Sequence, residues 1–421
     1  MRRPRIALAC AATMAAFLSQ PSQAENLVIA IGSRGYGQVV PHDIEGFTAA
    51  NPGISVEWLK VSDVPNQTRQ LYVTDFTSKS PTPDVFAIDI IWAGEFAKLG
   101  WLAPLDSYMT KDELSKYNQS FLTAATLNGH VYGAPLYLDG THLFYRKDLL
   151  EKYHLPPPQT WEELIKDSQV VMDGEHNPQL YGFVSMWAKI EGLFMNWLSF
   201  TNANGGGFYD AAGHVAVNSP ANIAATQTMV DMIYKDQIAP KSILDDKPDD
   251  ARTLFQQGRA VFLMVQDFVY DPLNAEGSPV KGKFDFMRIP YFAGHPDAHT
   301  TAMGGFLLGI NPNSEHKEDA AKLVAYFTSH EAELWAALNA NRAPGRPDVY
   351  KDPQIANAGI LPKLGADFDV GLVRPSGTTG DLYPQVSEIV QLEVTKALHR
   401  QVPVKEALDS AQKQIEALLS K

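Results

Sequence analysis

Residues 84–89 read DVFAID, a short apolar run between two aspartates. Four consecutive apolar residues in this setting predict a strand buried on both faces, as in a parallel sheet that is covered by helices on each side. Residues 92–99 follow almost directly and predict a helix that ends at Gly100. This strand and helix together indicate an α/β fold.

The preceding segment repeats the same order of elements. Residues 27–31 read LVIAI and predict a buried strand that leads into a glycine-containing loop at residues 32–35. A helical stretch carries Ile44 and Phe47, and residues 54–58 then alternate apolar and polar side chains. A strand, a helix and a strand in such close succession predict a parallel βαβ unit.

The rest of the chain continues as strands and helices of one type of fold. Residues 131–147 are rich in aromatic side chains and predict an extended crossover, after which residues 160–163 read TWEE, the spacing of a capping box. Further predicted elements are strands at 260–264 and 304–310 and helices at 221–234, 317–327 and across the last forty residues, where one apolar stripe indicates packing on a core.

The N-terminus predicts a cleavable signal peptide over residues 1–24. Arg2, Arg3 and Arg5 precede an apolar run at residues 6–18, and small residues stand before the cut that we expect after Ala24. Lipid attachment at Cys10, the only cysteine, is an alternative, but it would leave almost no apolar region before the modified residue. We therefore expect a periplasmic protein whose mature chain has no thiol.

Composition limits the class of partner. Removal of residues 1–24 takes away three arginines and no acidic residue, so the formal charge of -13 becomes -16 over 397 remaining residues. An acidic protein disfavours nucleic acid and anionic membranes as partners. A chain of this length exceeds the ~250–300 residues of one hydrophobic core, so two domains are expected.

Sequence motifs for catalysis, metal binding and cofactor binding are missing. The chain has no zinc-protease spacing, no Gly-Lys-Ser/Thr phosphate loop and no Gly-x-Ser-x-Gly turn, and its histidines are scattered. No metal and no cofactor are therefore predicted. A pair of carboxylates for glycoside hydrolysis is not ruled out by composition.

Two aspartates stand at predicted strand ends among aromatic residues. Asp89 ends its strand, and Asp139 follows an apolar run and precedes Gly140. Ligands of open α/β sheets bind beyond such strand ends, and a carboxylate can accept two sugar hydroxyls while an aromatic ring covers the C–H face. The simpler alternatives are a helix cap for Asp89 and a turn for Asp139, and Trp92 can equally be a core residue.

Taken in order, several segments resemble the extracellular sugar-binding proteins of ABC importers, in particular the trehalose- and maltose-binding branch (solute-binding protein family 1). These segments are 47–54 (FTAANPGI), 83–92 (PDVFAIDIIW), 100–106 (GWLAPLD), 132–135 (YGAP), 143–150 (LFYRKDLL), 158–164 (PQTWEEL) and 304–306 (GGF), followed by Arg374-Pro375 and Tyr383-Pro384.

The resemblance implies a two-lobed periplasmic-binding-protein fold of type II, in which each lobe has a central sheet flanked by helices and a hinge joins the lobes. We expect residues 25–137 with about 285–338 in the N-terminal lobe, and about 138–284 with 339–421 in the C-terminal lobe. Hinge closure on the ligand is the switch that this fold implies.

The resemblance also implies the ligand-binding residues. Asp89 and Asp139 would hold hydroxyls from opposite lobes, Arg374 would donate to ligand oxygens, and Tyr137, Gly304 and Gly305 would line the cleft. The further candidates are Trp92, Phe306 and Phe268, the last two at positions where relatives tend to have tryptophan.

The sequence thus predicts a monomeric, non-enzymatic receptor that delivers a carbohydrate, either a disaccharide such as trehalose or maltose or a sugar-like polyol, to the permease subunits of an ABC importer. The alternative from another class is a secreted glycoside hydrolase with paired carboxylates. Receptors for peptides, polyamines or ferric ion are rivals within the binding class.

Overall fold

A computed structural model describes residues 25–33, 36–62, 65–298, 301–368 and 371–420. The predicted signal peptide lies outside these ranges, as do Arg34 and Gly35 of the first loop. Within the described ranges, no helix combines the length and apolar character needed to cross a membrane.

Eleven strands are present among the described residues. They are β1 Glu25–Gly32, β2 Ile54–Val61, β3 Val85–Asp89, β4 Thr126–Leu127, β5 His130–Val131, β6 Ala134–Tyr145, β7 Tyr181–Ser185, β8 Ala260–Gln266, β9 Asp285–Met287, β10 Ala302–Ile310 and β11 Leu372–Val373.

Helices flank the strands throughout the described chain. They are α1 Val39–Ala50, α2 Pro65–Thr77, α3 Ala93–Lys98, α4 Lys111–Leu114, α5 Gln119–Ala124, α6 Lys147–Lys152, α7 Trp161–Glu175, α8 Glu191–Ala203, α9 Pro220–Tyr234, α10 Pro248–Gln256, α11 Tyr270–Asn274, α12 Lys317–Phe327, α13 His330–Ala340, α14 Leu361–Phe368, α15 Ser376–Thr379, α16 Tyr383–Leu398 and α17 Val404–Leu419.

The main sheet has the strand order β2-β1-β3-β10-β6-β8-β7, with β11 beside β10 and β9 beside β6. Strands β1, β2 and β3 are parallel, as the βαβ pattern predicts, whereas β10 runs antiparallel to both β3 and β6. Strand β8 is parallel to β7 and antiparallel to β6. The α/β fold class is therefore confirmed.

Strand β6 is shared by two groups of strands. Its residues up to Gly140 pair with β10, and from Thr141 onward it pairs with β8 and β9. We call β1, β2, β3, β10, β11 and residues 134–140 the first sheet half, and β7, β8, β9 and residues 141–145 the second sheet half. The two predicted central sheets are thus continuous through one long strand.

This pairing places some segments differently from the expected lobe division. Gly140, not residue 137, is the last residue of β6 that pairs with β10. Strand β9, near residue 285, lies in the second half, whereas β11 pairs with β10 in the first half. The lobe boundaries themselves stay a prediction.

Local sequence signals explain several boundaries. The Thr160 hydroxyl accepts from the Glu163 N–H at 3.1 Å, and the Glu163 carboxylate accepts from the Thr160 N–H at 3.2 Å, so the predicted capping box opens α7. The predicted helix at 317–327 is α12, and the apolar stripe of α17 is buried.

At Gly305, the backbone of β6 leaves no room for a side chain on β10. Its φ is +138°, and a Cβ there would lie 2.3 Å from the Tyr137 carbonyl oxygen and 3.0 Å from Leu138 Cα. Because both neighbours belong to the backbone of β6, neither can move without disturbing the shared strand. A residue without a side chain is required here.

We expect Gly305→Ala to lower the free energy of unfolding by about 2 kcal/mol or more, since it adds a backbone collision to an unfavourable φ. Gly53→Ala is the matched control, because Gly53 has a φ of +107° with nothing within 4 Å of the added Cβ. Urea unfolding of both variants measures the difference. Equal losses would show that the approach of the two strands is not restrictive.

Candidate functional site

Several predicted ligand residues lie in one row across the first sheet half. In the sheet register, Phe306 of β10 stands opposite Asp89 of β3 on one side and Tyr137 of β6 on the other. Gly304 stands opposite Asp139 in the same way. Because side chains two residues apart share a face of a strand, these five residues are on one face of the sheet.

Arg374 reaches this row from the end of β11. Its side chain is only 4% exposed, and Nη2 donates to Asp89 Oδ1 at 3.2 Å. Its Nη1 donates to Glu191 Oε1 at 3.1 Å. Burial opposes the charge, but the Asp89 and Glu191 carboxylates outweigh it and raise the pKa of Arg374 above its ordinary value. Arg374 is thus a buried cation, not a surface arginine.

Asp89 has the capping role that the sequence offered as an alternative, and it also pairs with Arg374. Its Oδ1 accepts from the Ile91 N–H at 3.2 Å and so caps the short 3₁₀ helix Ile90–Trp92. The same oxygen accepts from Arg374. The cap therefore fixes the carboxylate in the orientation that Arg374 requires.

Glu191, which the sequence analysis did not single out, collects several hydrogen bonds at the start of α8. Its carboxylate accepts from Arg374, from the Tyr383 hydroxyl and from the Ser387 hydroxyl, and Gln391 lies 3.4 Å away. The last three donors all belong to α16. No motif surrounds Glu191 in the sequence, so only the long-range contact with Arg374 identifies it.

Asp139 lies directly above Gly304. A Cβ on Gly304 would be 2.3 Å from Asp139 Oδ1 and 3.5 Å from Arg374 Nη2, so the missing side chain leaves room for both groups. Among the described residues, no hydrogen-bond donor contacts the Asp139 carboxylate. Burial, and after it the neighbouring Asp267 carboxylate, raise the pKa of Asp139 to about 7.

Asp267 is the carboxylate that the second sheet half contributes. It follows the end of β8 and accepts from the Gly140 N–H at 3.2 Å. Burial raises the pKa of Asp267 to about 6, against the opposing effects of His142 and Arg342. Its neighbour Phe268 was predicted as a ligand-binding residue because of its aromatic ring, whereas Asp267 was not predicted.

The sheet pairing puts Asp89 and Asp139 in the same sheet half, whereas the sequence predicted that they come from opposite lobes. Both residues pair with β10 and belong to the first sheet half, because β6 stays paired with β10 through Gly140. Asp267 and Glu191 are the acidic residues that approach from the other side. The second half therefore does contribute carboxylates, but from β8 and α8.

Aromatic rings cover one side of the row. Tyr137 stacks on Phe306 with centroids 5.4 Å apart, and Tyr36 lies 5.3 Å from Tyr137. The Arg342 guanidinium lies 5.8 Å from the centre of the Tyr137 ring. Tyr137 and Phe306 thus stand beside the carboxylates, as predicted.

The structure does not bring the remaining candidates into this group. Trp92 is 4% exposed and stacks on Phe96 at 6.1 Å, so it is a core residue. Gly305 faces the other side of the sheet, where an added Cβ would meet Phe121 of α5. Phe268 is half-buried against the core, and no ring contact joins it to Tyr137 or Phe306 in the described residues.

A cavity of about 400 Å³ is lined by Arg374 and by Leu372 and Val373 of β11. Thr123 and Ala124 of α5, Leu198 of α8 and Tyr209 are among its lining residues. In the described ranges, no group of three or more His, Cys, Asp or Glu side chains is arranged to hold a metal ion.

A family model described as bacterial extracellular solute-binding protein matches residues 33–334. The chain belongs to this family. A maltose-bound structure of T. maritima MalE3 is 34% identical, with a TM-score of 0.85, and the match covers 94% of this chain and all of that one.

Two further similar proteins fit the same assignment. A solute-binding protein from Thermotoga lettingae, bound to α-D-tagatose, is 26% identical with a TM-score of 0.81, over 94% of this chain and 100% of that chain. A probable ABC transporter-binding protein from Deinococcus radiodurans is 29% identical over 374 residues, which are 87% of each chain.

These findings confirm three predictions. The chain is a solute-binding protein of the predicted family, it has the two-lobed α/β fold of the maltose-binding relatives, and its family consists of binding proteins rather than enzymes. The family is extracellular. The comparisons do not test the ligand-binding residues, which stay a prediction.

Arg374 gives the first test of this solute-binding protein's site. We expect Arg374→Met to lower the free energy of unfolding by about 3 kcal/mol, because it leaves Asp89 and Glu191 without their buried cation. The control is Lys98→Met, which breaks the more exposed Lys98–Asp381 pair and should cost less than about 1 kcal/mol. Equal losses in urea unfolding would contradict the buried role of Arg374.

Asp139 gives a pH-dependent test. Its pKa of about 7 exceeds the value of about 3.9 in an unfolded chain, so the folded protein keeps a proton that the unfolded chain has released. The free energy of unfolding should therefore fall as pH rises from about 4 to 7. We expect Asp139→Asn to be more stable than wild type at pH 8 by at least about 1 kcal/mol, and the gain to shrink at pH 4.

Urea unfolding at both pH values measures this effect. Glu57→Gln, which neutralises an exposed carboxylate on β2, is the control and should follow the wild-type pH dependence. Identical pH dependence in Asp139→Asn and wild type would show that Asp139 is not the group that holds the proton.

Proposed function

We propose that this protein captures a neutral carbohydrate, a disaccharide such as trehalose or maltose or a sugar-like polyol, and delivers it to the permease subunits of an ABC importer. The observation that carries the proposal is the Asp139 carboxylate. It is only partly exposed, it has no hydrogen-bond donor among the described residues, and it lies beside two aromatic rings.

Such a carboxylate suits a polyhydroxylated ligand. Two sugar hydroxyls can donate to its oxygens, which replaces the hydrogen bonds to water that burial removed. Tyr137 and Phe306 offer apolar surface for the C–H groups of the same ligand. Arg374, whose buried Nε has no partner among the described residues, would supply a donor for a ligand oxygen.

The similar proteins support this ligand class. The 34% identical structure contains maltose and the 26% identical structure contains tagatose, so sugars of different size occupy relatives of this chain. Phe306 and Phe268 are smaller than the tryptophans that the disaccharide branch tends to have. Both disaccharides and smaller polyols therefore belong in the proposal.

The pairing of β6 supports a hinge at Gly140–Thr141, where the strand passes from one sheet half to the other. The lobes would consist of the segments expected from the sequence, with β9 moved to the second lobe and β11 to the first. Closure of the lobes on the ligand would present a surface to the permease. We propose that the protein acts as a monomer.

The predicted signal peptide supports a location in the periplasm. Cleavage after Ala24 would release the protein without lipid attachment at Cys10. Among the candidate functions, a glycoside hydrolase has no support from the family, whose members are solute-binding proteins.

A thermal-shift screen tests the proposal. The panel contains maltose, trehalose, mannitol and tagatose, with a dipeptide mixture and ferric citrate as representatives of the rival ligands. A ligand at ~100 times its dissociation constant should add about 2.7 kcal/mol of stability. We expect a shift with at least one carbohydrate, and we expect Asp139→Asn to weaken binding by about tenfold or more, since it removes hydrogen bonds to a charged group.

The control variant is again Glu57→Gln, which should keep the wild-type shift. A shift with the peptides or with iron and none with any carbohydrate would overturn the ligand class. Turnover of a chromogenic glycoside that disappears in Asp139→Asn would restore the hydrolase alternative.

A further inference from the structure

We propose that Glu191 is a positioning residue, which acts through Arg374 to hold the two lobes in their ligand-binding arrangement. We call Asp89, Arg374 and Glu191 the interlobe clamp. The proposal rests on the proposed function, since it concerns the closure of the same site.

The clamp joins elements of different sheet halves. Asp89 ends β3, and Arg374 follows β11, which pairs with β10; both strands are in the first half. Glu191 opens α8, which contacts β10 and the shared strand β6. Its Phe200 stacks on Trp161 of α7 at 4.0 Å, and α7 packs against β7 of the second half. The guanidinium therefore spans the two halves with one terminal nitrogen on each.

Arg374 is anchored on the side of the first half. Residues 372–373 pair with β10, and α15, which follows, packs against α3 and α5. Further along, Asp381 pairs with Lys98 of α3 at 2.7 Å. These contacts hold the segment around Arg374 to the first half independently of Glu191.

Glu191 is equally well anchored on the side of the second half. The hydroxyls of Tyr383 and Ser387 donate to its carboxylate, and Gln391 donates to Ser387 at 2.8 Å. All three partners are on α16, which packs against α8 and α9. Glu191 cannot follow Arg374 without breaking these bonds, so the Arg374–Glu191 contact is sensitive to the separation of the halves.

The clamp also determines what Arg374 can offer a ligand. Of its five N–H donors, one on each terminal nitrogen is already taken by a carboxylate. Its Nε is buried and has no partner in the described residues. An acceptor oxygen of the ligand could accept a hydrogen bond from this Nε. Glu191 holds the guanidinium plane in the orientation that this hydrogen bond requires.

The experiment compares wild type, Glu191→Gln and the control Glu57→Gln, at an exposed carboxylate on β2, by small-angle scattering without ligand and by calorimetric titration with maltose. The amide keeps the size of Glu191 but loses its charge. We expect the radius of gyration to shift to a larger value in Glu191→Gln only. We also expect its dissociation constant for maltose to rise about ten- to a hundredfold, as one charge-assisted hydrogen bond implies.

A double-mutant cycle with Arg374→Lys separates positioning from general destabilisation. If Glu191 acts through Arg374, Glu191→Gln should have little further effect on maltose affinity in the Arg374→Lys background. Full additivity of the two effects would overturn the proposal. A residue that merely stabilises α8 would give such additivity.

The scattering measurement decides the proposal even if wild type binds no maltose. That result would count against the disaccharide in the proposed function, while the radius of gyration would still report on the clamp. An unchanged radius of gyration in Glu191→Gln overturns the role of Glu191, whatever ligand the protein binds.

Discussion

The structure depends on one strand that pairs with two sets of partners. Because β6 has twelve residues, it can complete the ladder of β10 and then, from Thr141 onward, that of β8. This places the end of β8 beside Asp139 although Asp267 is more than a hundred residues away in sequence. An added Cβ on Gly305 would collide with the backbone of β6, so the pairing of β6 with β10 leaves little room for change. The continuous sheet therefore determines the positions of Asp139 and Asp267 relative to each other.

The second constraint is the placement of charge away from water. A buried guanidinium is tolerated only when carboxylates and hydrogen bonds compensate it. Asp89 and Glu191 provide this compensation from two sides, and the capping bond to Ile91 and the hydroxyls of α16 hold the two carboxylates in place. Among the described residues, no cation contacts Asp139 or Asp267 as directly, and burial raises the pKa of both carboxyl groups.

Local patterns predicted the elements well, and long-range pairing explains what they missed. The DVFAID strand, the capping box of α7 and the stripe of α17 depend on residues close in sequence, so the sequence alone was sufficient for them. The burial of Arg374 and the role of Glu191 depend on contacts across almost two hundred residues. Asp89 and Asp139 were predicted because ligands bind at strand ends in this fold class. That both residues lie in the same sheet half became visible only from the register of β6.

The Asp139 carboxylate, which has no donor among the described residues, would also link stability to binding. Its partial burial raises the free energy of the charged form in the empty protein, and a ligand that supplies hydroxyls would lower it. The same free energy therefore appears twice, as lost stability without ligand and as affinity with it. Arg374 differs, because its partners belong to the protein and its charge is compensated before any ligand arrives. Asp139 is thus suited to sensing the ligand, whereas Arg374 is suited to fixing the geometry in which the ligand is sensed.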